Sequence, residues 1–245
     1  MIVRIDCDYL VYKSAVCCEY DVDYGDDLIV VQSRFSEVQS LITNEIKKIC
    51  ATLETKQDDV VLYFSDSKNF RKILYPDYKG HRNRKKPCGY KRAINWLREH
   101  YQVVSMPYLE ADDALGIDAT KDQDNTSIIV SPDKDLRQIP GRLYDFNEVV
   151  NVTPEEGTRW HLIQTLAGDQ TDGYPGCPGI GVKKAESLFN KYGENWKTVV
   201  KAFESAGLTE ENALLNARLA RILQHTDYDF VANTFIPWSP TTANV

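Results

Sequence analysis

Asp6 and Asp66 follow short apolar runs, Ile2–Ile5 and Val60–Phe64, and Asp133 and Asp135 follow a third, Ser127–Val130. Glu110, Asp112 and Asp113 open a helical stretch after a fourth, Val103–Val104, and Asp169 with Asp172 sits in the turn between Gly168 and Gly173. Nine carboxylates converging on one edge repel one another unless cations are bound. Oxygen-only ligand sets suit magnesium, which keeps several waters and completes its shell with substrate phosphate. Two such ions ~3.5–4 Å apart activate a water and stabilise a leaving oxygen in phosphodiester hydrolysis. Taken singly, each acid is as readily a helix N-cap or a solvated strand end. Glu110-x-Asp112-Asp113 together with Asp133-x-Asp135 weakens that reading, because acids one residue apart at a tight strand exit repel without stabilising a helix.

Such a site needs strands that all end on one side. The four apolar runs alternate with helical stretches, and Leu143–Phe146 reads as a fifth strand, so the pattern is α/β with a mainly parallel sheet and helices on both faces. In such a sheet ligands bind at the strands' carboxyl ends. Phe35, Val38, Leu41, Ile42, Ile46, Ile49 and Leu53 recur at helical spacing behind Ser33 as a cap. From about Thr158 onward the pattern is helical, with candidates at Trp160–Leu166, Val182–Tyr192, Trp196–Ala206 and Glu210–Gln224. A catalytic body over 1–157 followed by a helical module over 158–245 is therefore expected, with a docked or frayed terminus after Asn233.

The chain of 245 residues carries a formal charge of −7, which taken globally disfavours a nucleic-acid partner. Residues 68 to 98, however, hold eleven cations and one acid, Asp77, a local +10 against −17 elsewhere. Screening confines charge effects to ~8 Å at physiological salt, so a basic segment binds phosphates whatever the total. Tyr75, Tyr78 and Tyr90 interleave with these cations, as stacking on bases requires. The hairpin from Pro175 to Ala185 adds a phosphate site: Gly176, Gly179 and Gly181 allow close backbone approach, a helix N-terminus follows, and Lys183 and Lys184 supply charge. It grips duplex backbone without reading bases. Six cysteines without a C-x-x-C pair and four scattered histidines point away from a zinc site, a disulfide framework or a histidine-based triad. No run is long and apolar enough to span a membrane, and no secretory signal is seen, so a cytoplasmic protein without a membrane partner is expected.

The segments Phe70-Arg71, Tyr75-Pro-Asp-Tyr-Lys-Gly-His-Arg82, Glu110-Ala-Asp-Asp-Ala114, Ser131-Pro-Asp-Lys-Asp-Leu136 and Gly168-Asp-Gln-Thr-Asp-Gly-Tyr-Pro-Gly176 resemble, in order, the 5′-nuclease (flap endonuclease) superfamily. The likeness is nearest to T7-type bacteriophage 5′→3′ exonucleases and spans residues 6 to about 185. It implies a PIN-like α/β domain with a helix-three-turn-helix module, hydrolysing duplex DNA near 5′ ends or flaps in replication or recombination. Glu110, Asp112, Asp133 and Asp135 then serve a first Mg2+, with Asp6 and Asp66 nearby through water, and Asp169 and Asp172 a second, Asp113 counting among the metal acids; Mn2+ substitutes. Lys79 and Arg82 approach the scissile phosphate, and Tyr78 stacks on the terminal base pair. Arg71, Arg84, Lys85 and Lys86 contact DNA from the basic gateway, and K+ joins the hairpin to the duplex. An RNA–DNA hybrid and a replicative polymerase are further partners the resemblance implies, with the host cytoplasm as the setting if the protein is phage-encoded.

Three departures stand out. Asp6-Cys7-Asp8 replaces the more usual small residue and Asn, so Asp8 is either an extra acid or a turn residue. Gly173-Tyr174 stands where Asn-Ile is common. Only 27 residues separate Arg82 from Glu110, so any arch is short, which favours exonuclease over the threading of long flaps. A non-catalytic DNA-binding module and a PIN-type ribonuclease are the competing readings; the complete set of acids and the duplex-gripping hairpin argue against them.

Overall fold

The computed structural model describes residues 1–82, 85–121 and 126–240. Its centre is a six-stranded sheet whose strands, in chain order, are β1 (Ile2–Asp6), β4 (Val60–Tyr63), β5 (Gln102–Val104), β6 (Ser127–Val130), β7 (Gly141–Tyr144) and β8 (Val149–Val152). A separate antiparallel ribbon pairs β2 (Glu19–Asp23) with β3 (Ile29–Ser33). The sheet order is β5-β4-β1-β6-β7-β8, parallel except for β8, which returns antiparallel along β7. The chain leaves β1 toward β4 and β5, then crosses back to β6 on the other side. That reversal opens a crevice at the carboxyl ends of β1 and β6, where ligand sites form in such sheets.

Alternation along the strands divides the core into two layers. Val3, Ile5, Leu62, Ile128 and Val130 face α1 (Cys7–Cys17), α2 (Phe35–Thr52) and α4 (Tyr90–His100), through Leu10, Val11, Ile42, Ile46, Ala93 and Leu97. Val61, Tyr63, Ile129 and Leu143 face α5 (Ala111–Ala119) through Ala111, Ala114 and Leu115. A short α3 (Phe70–Leu74) precedes α4. The expected cap of α2, Ser33, ends β3 instead; Arg34 precedes the helix without a side-chain cap bond. The expected fifth strand lies two residues earlier, because the chain turns at Asp145–Glu148 to start β8.

α6 (Pro154–Ala167), α7 (Val182–Tyr192), α8 (Trp196–Ser205) and α9 (Glu210–Ala220) form the helical module around Leu162, Leu166, Phe189, Trp196, Phe203 and Ala217. A boundary at 157/158 cuts through α6, a helix that Thr153 and Glu156 start together as a capping box. α9 stops four residues sooner than its sequence pattern suggests. Beyond Ala220 the chain extends back onto the body, where the Ile222 and Leu223 amides donate to Gln138 and Asp113. The terminal stretch docks: β9 (Tyr228–Asp229) pairs with β10 (Thr234–Phe235), and Phe235 stacks on Phe70 at 4.2 Å. Among the described residues no helix is long and apolar enough to cross a membrane.

Candidate active site

Eight carboxylates line a cleft of about 550 Å³ at the crevice: Asp6, Asp8, Glu110, Asp112, Asp133, Asp135, Asp169 and Asp172. Four separate elements deliver them. β1 runs into α1 at Asp6, which caps that helix, and Asp8 follows in its first turn. Glu110 and Asp112 stand at the start of α5. Asp133 caps a 3-10 turn over Lys134–Gln138 that carries Asp135. The turn after α6 presents Asp169 and Asp172, with Asp169 accepting the Thr171 and Asp172 amides. Gly168 and Gly176 make that turn possible. Each has positive φ, and a Cβ on either would lie under 3 Å from the other's backbone.

The cleft divides by charge. Around Asp6, Asp112 and Asp135 there is too little cation to balance the acids. Burial and the neighbouring Asp8 push the Asp6 carboxyl up to about 6, against a hydrogen bond from Ser131 at 2.9 Å. Burial, then Asp133 and Asp169, push Asp135 up to about 7. Burial, then Asp6 and Asp133, raise Asp112 well above the ordinary carboxylate range. On the other side, burial works to raise Glu110, but Lys79 and Arg71 outweigh it and hold the carboxyl at about 2. Lys79 spans Glu110 and Asp172, and Arg82 pairs with Asp172 at 2.7 Å.

The donor set fits divalent cations of the oxygen-seeking kind. All eight groups are carboxylates, and burial together with neighbouring acids raises Asp6, Asp112 and Asp135 above the ordinary carboxylate range, an arrangement that bound cations would relieve. Among the described residues no group of three such side chains stands ready as a ligand shell, so the fit rests on charge and donor chemistry.

The profile of the family described as "5'-3' exonuclease, N-terminal resolvase-like domain" matches residues 27–159, over half of the chain. The chain belongs to this 5′-3′ exonuclease family. It is 29% identical to the exodeoxyribonuclease of Enterobacteria phage T3, over 98% of this chain and 93% of that protein. The exonuclease of Escherichia phage T7 matches at the same identity and coverage. A flap endonuclease Xni of Shewanella pealeana is 34% identical over 54% of this chain and 58% of its own. Among solved structures, T5 5′-exonuclease with bound zinc superposes with a TM-score of 0.66 at 15% identity, covering 89% of this chain and 88% of its own. That likeness shows a shared PIN-like fold.

Within this family member the structure redistributes several expected roles. Asp113 faces away from the cleft, fully buried, with its oxygens 2.7 and 2.8 Å from Arg71. Arg71 is itself buried and also donates to the Leu219 and Arg221 carbonyls, so it is no DNA contact. Tyr78 is 1% exposed, its one hydroxyl proton shared between the Asp172 and Glu110 carboxylates, so its ring cannot stack on a base pair. Asp66 lies outside the cleft, accepting the Ser67 and Tyr108 amides. Gly176 packs on Gly168 and donates its amide to buried Asn216. By contrast, Gly179 and Gly181 are exposed with open space around them, and Lys183 and Lys184 are exposed beside them.

Among the described residues, the cations of the basic segment take different settings. Arg92 sits over Phe35, Lys86 sits over Tyr90 and lines the cleft, Lys85 is exposed, and Arg84 lies outside the described residues. Asp8 is the acid that the motif reading left open. It lines the cleft, accepting the Ser65 amide at 3.0 Å and the Tyr90 hydroxyl at 3.3 Å. Its substitution for the usual Asn was the signal.

Proposed function

We propose that this chain is a divalent-metal-dependent 5′→3′ exonuclease acting on duplex DNA ends, which also releases 5′ flaps. The observation that carries this reading is the ring of eight carboxylates flanked by Lys79, Arg82 and Lys86. Asp6, Asp8, Asp112, Asp133 and Asp135 are the residues for one cation, and Glu110, Asp169 and Asp172 for another, with Mg2+ the natural ion and Mn2+ a substitute. Cations held there supply Lewis acidity toward the scissile phosphate and its attacking water.

The chain's own groups orient the substrate. Tyr78 and Lys79 fix the Glu110 and Asp172 oxygens from opposite elements, so these carboxylates keep one arrangement while the substrate enters. Lys79 and Arg82 are the cations that meet the phosphate once their carboxylate partners are otherwise neutralised, and they offset charge that grows at the reacting oxygens. The exposed Gly179-x-Gly181 turn and the α7 N-terminus, with Lys183 and Lys184, grip the duplex backbone beside the cleft, K+ joining there. In-line attack by water on the phosphorus, opposite its 3′ oxygen, would break the P–O3′ bond and leave a 5′-phosphate and a 3′-hydroxyl. An RNA strand paired to DNA fits the same backbone-reading surface. Recruitment by a replicative polymerase and action in the host cytoplasm complete the reading.

The test is magnesium-dependent digestion of a duplex labelled at its 5′ end beside a matched 5′-flap substrate. The expected result is mononucleotides with 5′-phosphates from the duplex, and loss of that activity in Asp135→Ala with duplex binding in calcium retained. Products bearing 5′-hydroxyls, or cleavage that survives Asp135→Ala, would overturn it.

A further inference from the structure

We propose that Gln164 is a positioning residue for the carboxylate cleft: its side-chain amide fixes the direction in which Asp135 presents itself to a divalent cation. The inference rests on the nuclease reading above and adds to it a residue that does not itself line the cleft. Gln164 lies on the buried side of α6, 5% exposed, and its Nε2 donates to Asp135 Oδ1 at 2.7 Å. Among the described residues it is the one side chain that donates to Asp135.

Backbone groups whose roles cannot reverse set the orientation of that amide. The Ile222 N–H donates to Gln138 Oε1 at 3.0 Å, and the Ala220 carbonyl accepts from Gln138 Nε2 at 2.7 Å. Gln138 is fully buried and therefore turns its NH2 group toward Gln164, whose Oε1 accepts at 2.6 Å. Gln164 is left with its own NH2 group to offer Asp135. A flipped Gln164 would set oxygen against oxygen at Asp135 and NH2 against NH2 at Gln138, leaving buried groups unpaired.

The relay thus runs from the end of α9, through Gln138 of the 3-10 turn and Gln164 of α6, to the acid that the same 3-10 turn carries into the cleft. α6 comes close enough because Gly157, about two turns before Gln164 on the same face, has no Cβ; one there would lie 2.4 Å from the Gln138 carbonyl oxygen. A neutral donor suits this place. Glu110 and Asp172 are held by Lys79 and Arg82, whose charge offsets part of their own. An amide orients a carboxylate without adding a competing charge, which leaves Asp135 Oδ2 open to a cation. Hydrogen-bonding partners of metal-binding groups are worth about 10- to 100-fold in metal affinity or activity.

The experiment compares the wild type with Gln164→Met, which keeps the length of the side chain and removes both hydrogen bonds. Calorimetric titration of the metal-free proteins with Mn2+ is one readout, and rates on a labelled duplex across magnesium concentrations are the other. The variant should bind Mn2+ about 10- to 100-fold more weakly and need magnesium raised by a similar factor for half-maximal rate. Its KM for the duplex should match the wild type, because no DNA contact is lost. Unchanged Mn2+ affinity, or a raised KM with the magnesium requirement unchanged, would reduce Gln164 to a packing residue and sink the proposal while leaving the nuclease reading intact. Should the methionine variant fail to fold, the wild type decides alone. The side-chain amide resonances of Gln164 in 15N-labelled protein should exchange slowly with solvent and shift as magnesium is added; resonances that exchange like a free amide, or stay unmoved, would overturn the assignment. A wild type that neither binds Mn2+ nor cuts the duplex would remove both readings.

Discussion

Tyr78 shows how one hydroxyl changes a residue's assignment. Its ring is sealed in a cluster with Tyr174, Leu219 and Ala220, and its hydroxyl joins Glu110 at 3.0 Å to Asp172 at 2.7 Å. Hydrogen bonds to charged acceptors contribute about 1.5–3 kcal/mol each. Tyr78→Phe keeps the ring and removes both bonds, so kcat should fall about 10- to 100-fold. Steady-state kinetics on a labelled duplex checks this; an unchanged kcat would mean that the ring alone matters. Asp112 and Asp113 teach the same lesson about direction. Adjacent helical residues point about 100° apart, so one faces the cleft and the other meets Arg71, although the sequence offers two identical acids. Asp66 stands apart from the cleft lining for a different reason: the Tyr108 amide and that of its neighbour Ser67 take up its oxygens, and neither residue type nor spacing announces that.

At the scale of elements, the Arg71–Asp113 pair joins α3 to α5 and, through the Leu219 and Arg221 carbonyls, to the end of α9. Breaking a buried ion pair from one side leaves an uncompensated charge. Arg71→Leu and Asp113→Asn should therefore each cost about 3–5 kcal/mol, and the double variant less than their sum. Urea denaturation midpoints of the three variants provide the check, and full additivity would show that the two groups act independently. The hairpin before α7 makes a separable prediction. Lys183→Ala combined with Lys184→Ala should weaken duplex binding equally across sequences and flatten the slope of log K against log salt by about 2. Binding titrations at several salt concentrations on two unrelated sequences decide it, and a loss confined to one sequence would argue against a backbone-only grip.

The whole molecule couples its cleft to pH. Asp6 and Asp135 hold protons in the folded state up to about 6 and about 7, against an ordinary 3.8. Folded-state pKa values raised in this way favour the native state most fully below the ordinary value. That contribution is lost as pH climbs through 6 and 7, where the folded state must accept crowded negative charge. Divalent cations relieve the crowding, so magnesium should raise Tm more at pH 8 than at pH 5. Thermal melts with and without magnesium at the two pH values test this, and an equal shift at both would place the ions away from these acids.

Much of this architecture was legible residue by residue. The apolar runs ending in acids mark β1, β4 and β6, the spacing from Phe35 to Leu53 marks α2, and the helical module reads from its caps and glycines. Several elements escaped, among them α1, the β2–β3 ribbon and β8. α1 buries Cys7 and Ser14 beside its aliphatic residues, which blurs the 3.6 period, and β2 with β3 carries exposed apolar residues that no core explains. β8 is four residues long and takes its order from pairing with β7. The sequence by itself determined the inventory: which strands end in carboxylates, that the sheet is mainly parallel, and that a glycine hairpin follows with two lysines. Only the tertiary structure decided which acids share the cleft and which partner the fold. Burial and pairing are set through space, and the contacts that sort these side chains join residues far apart in the chain, as Arg71 joins Asp113, Leu219 and Arg221.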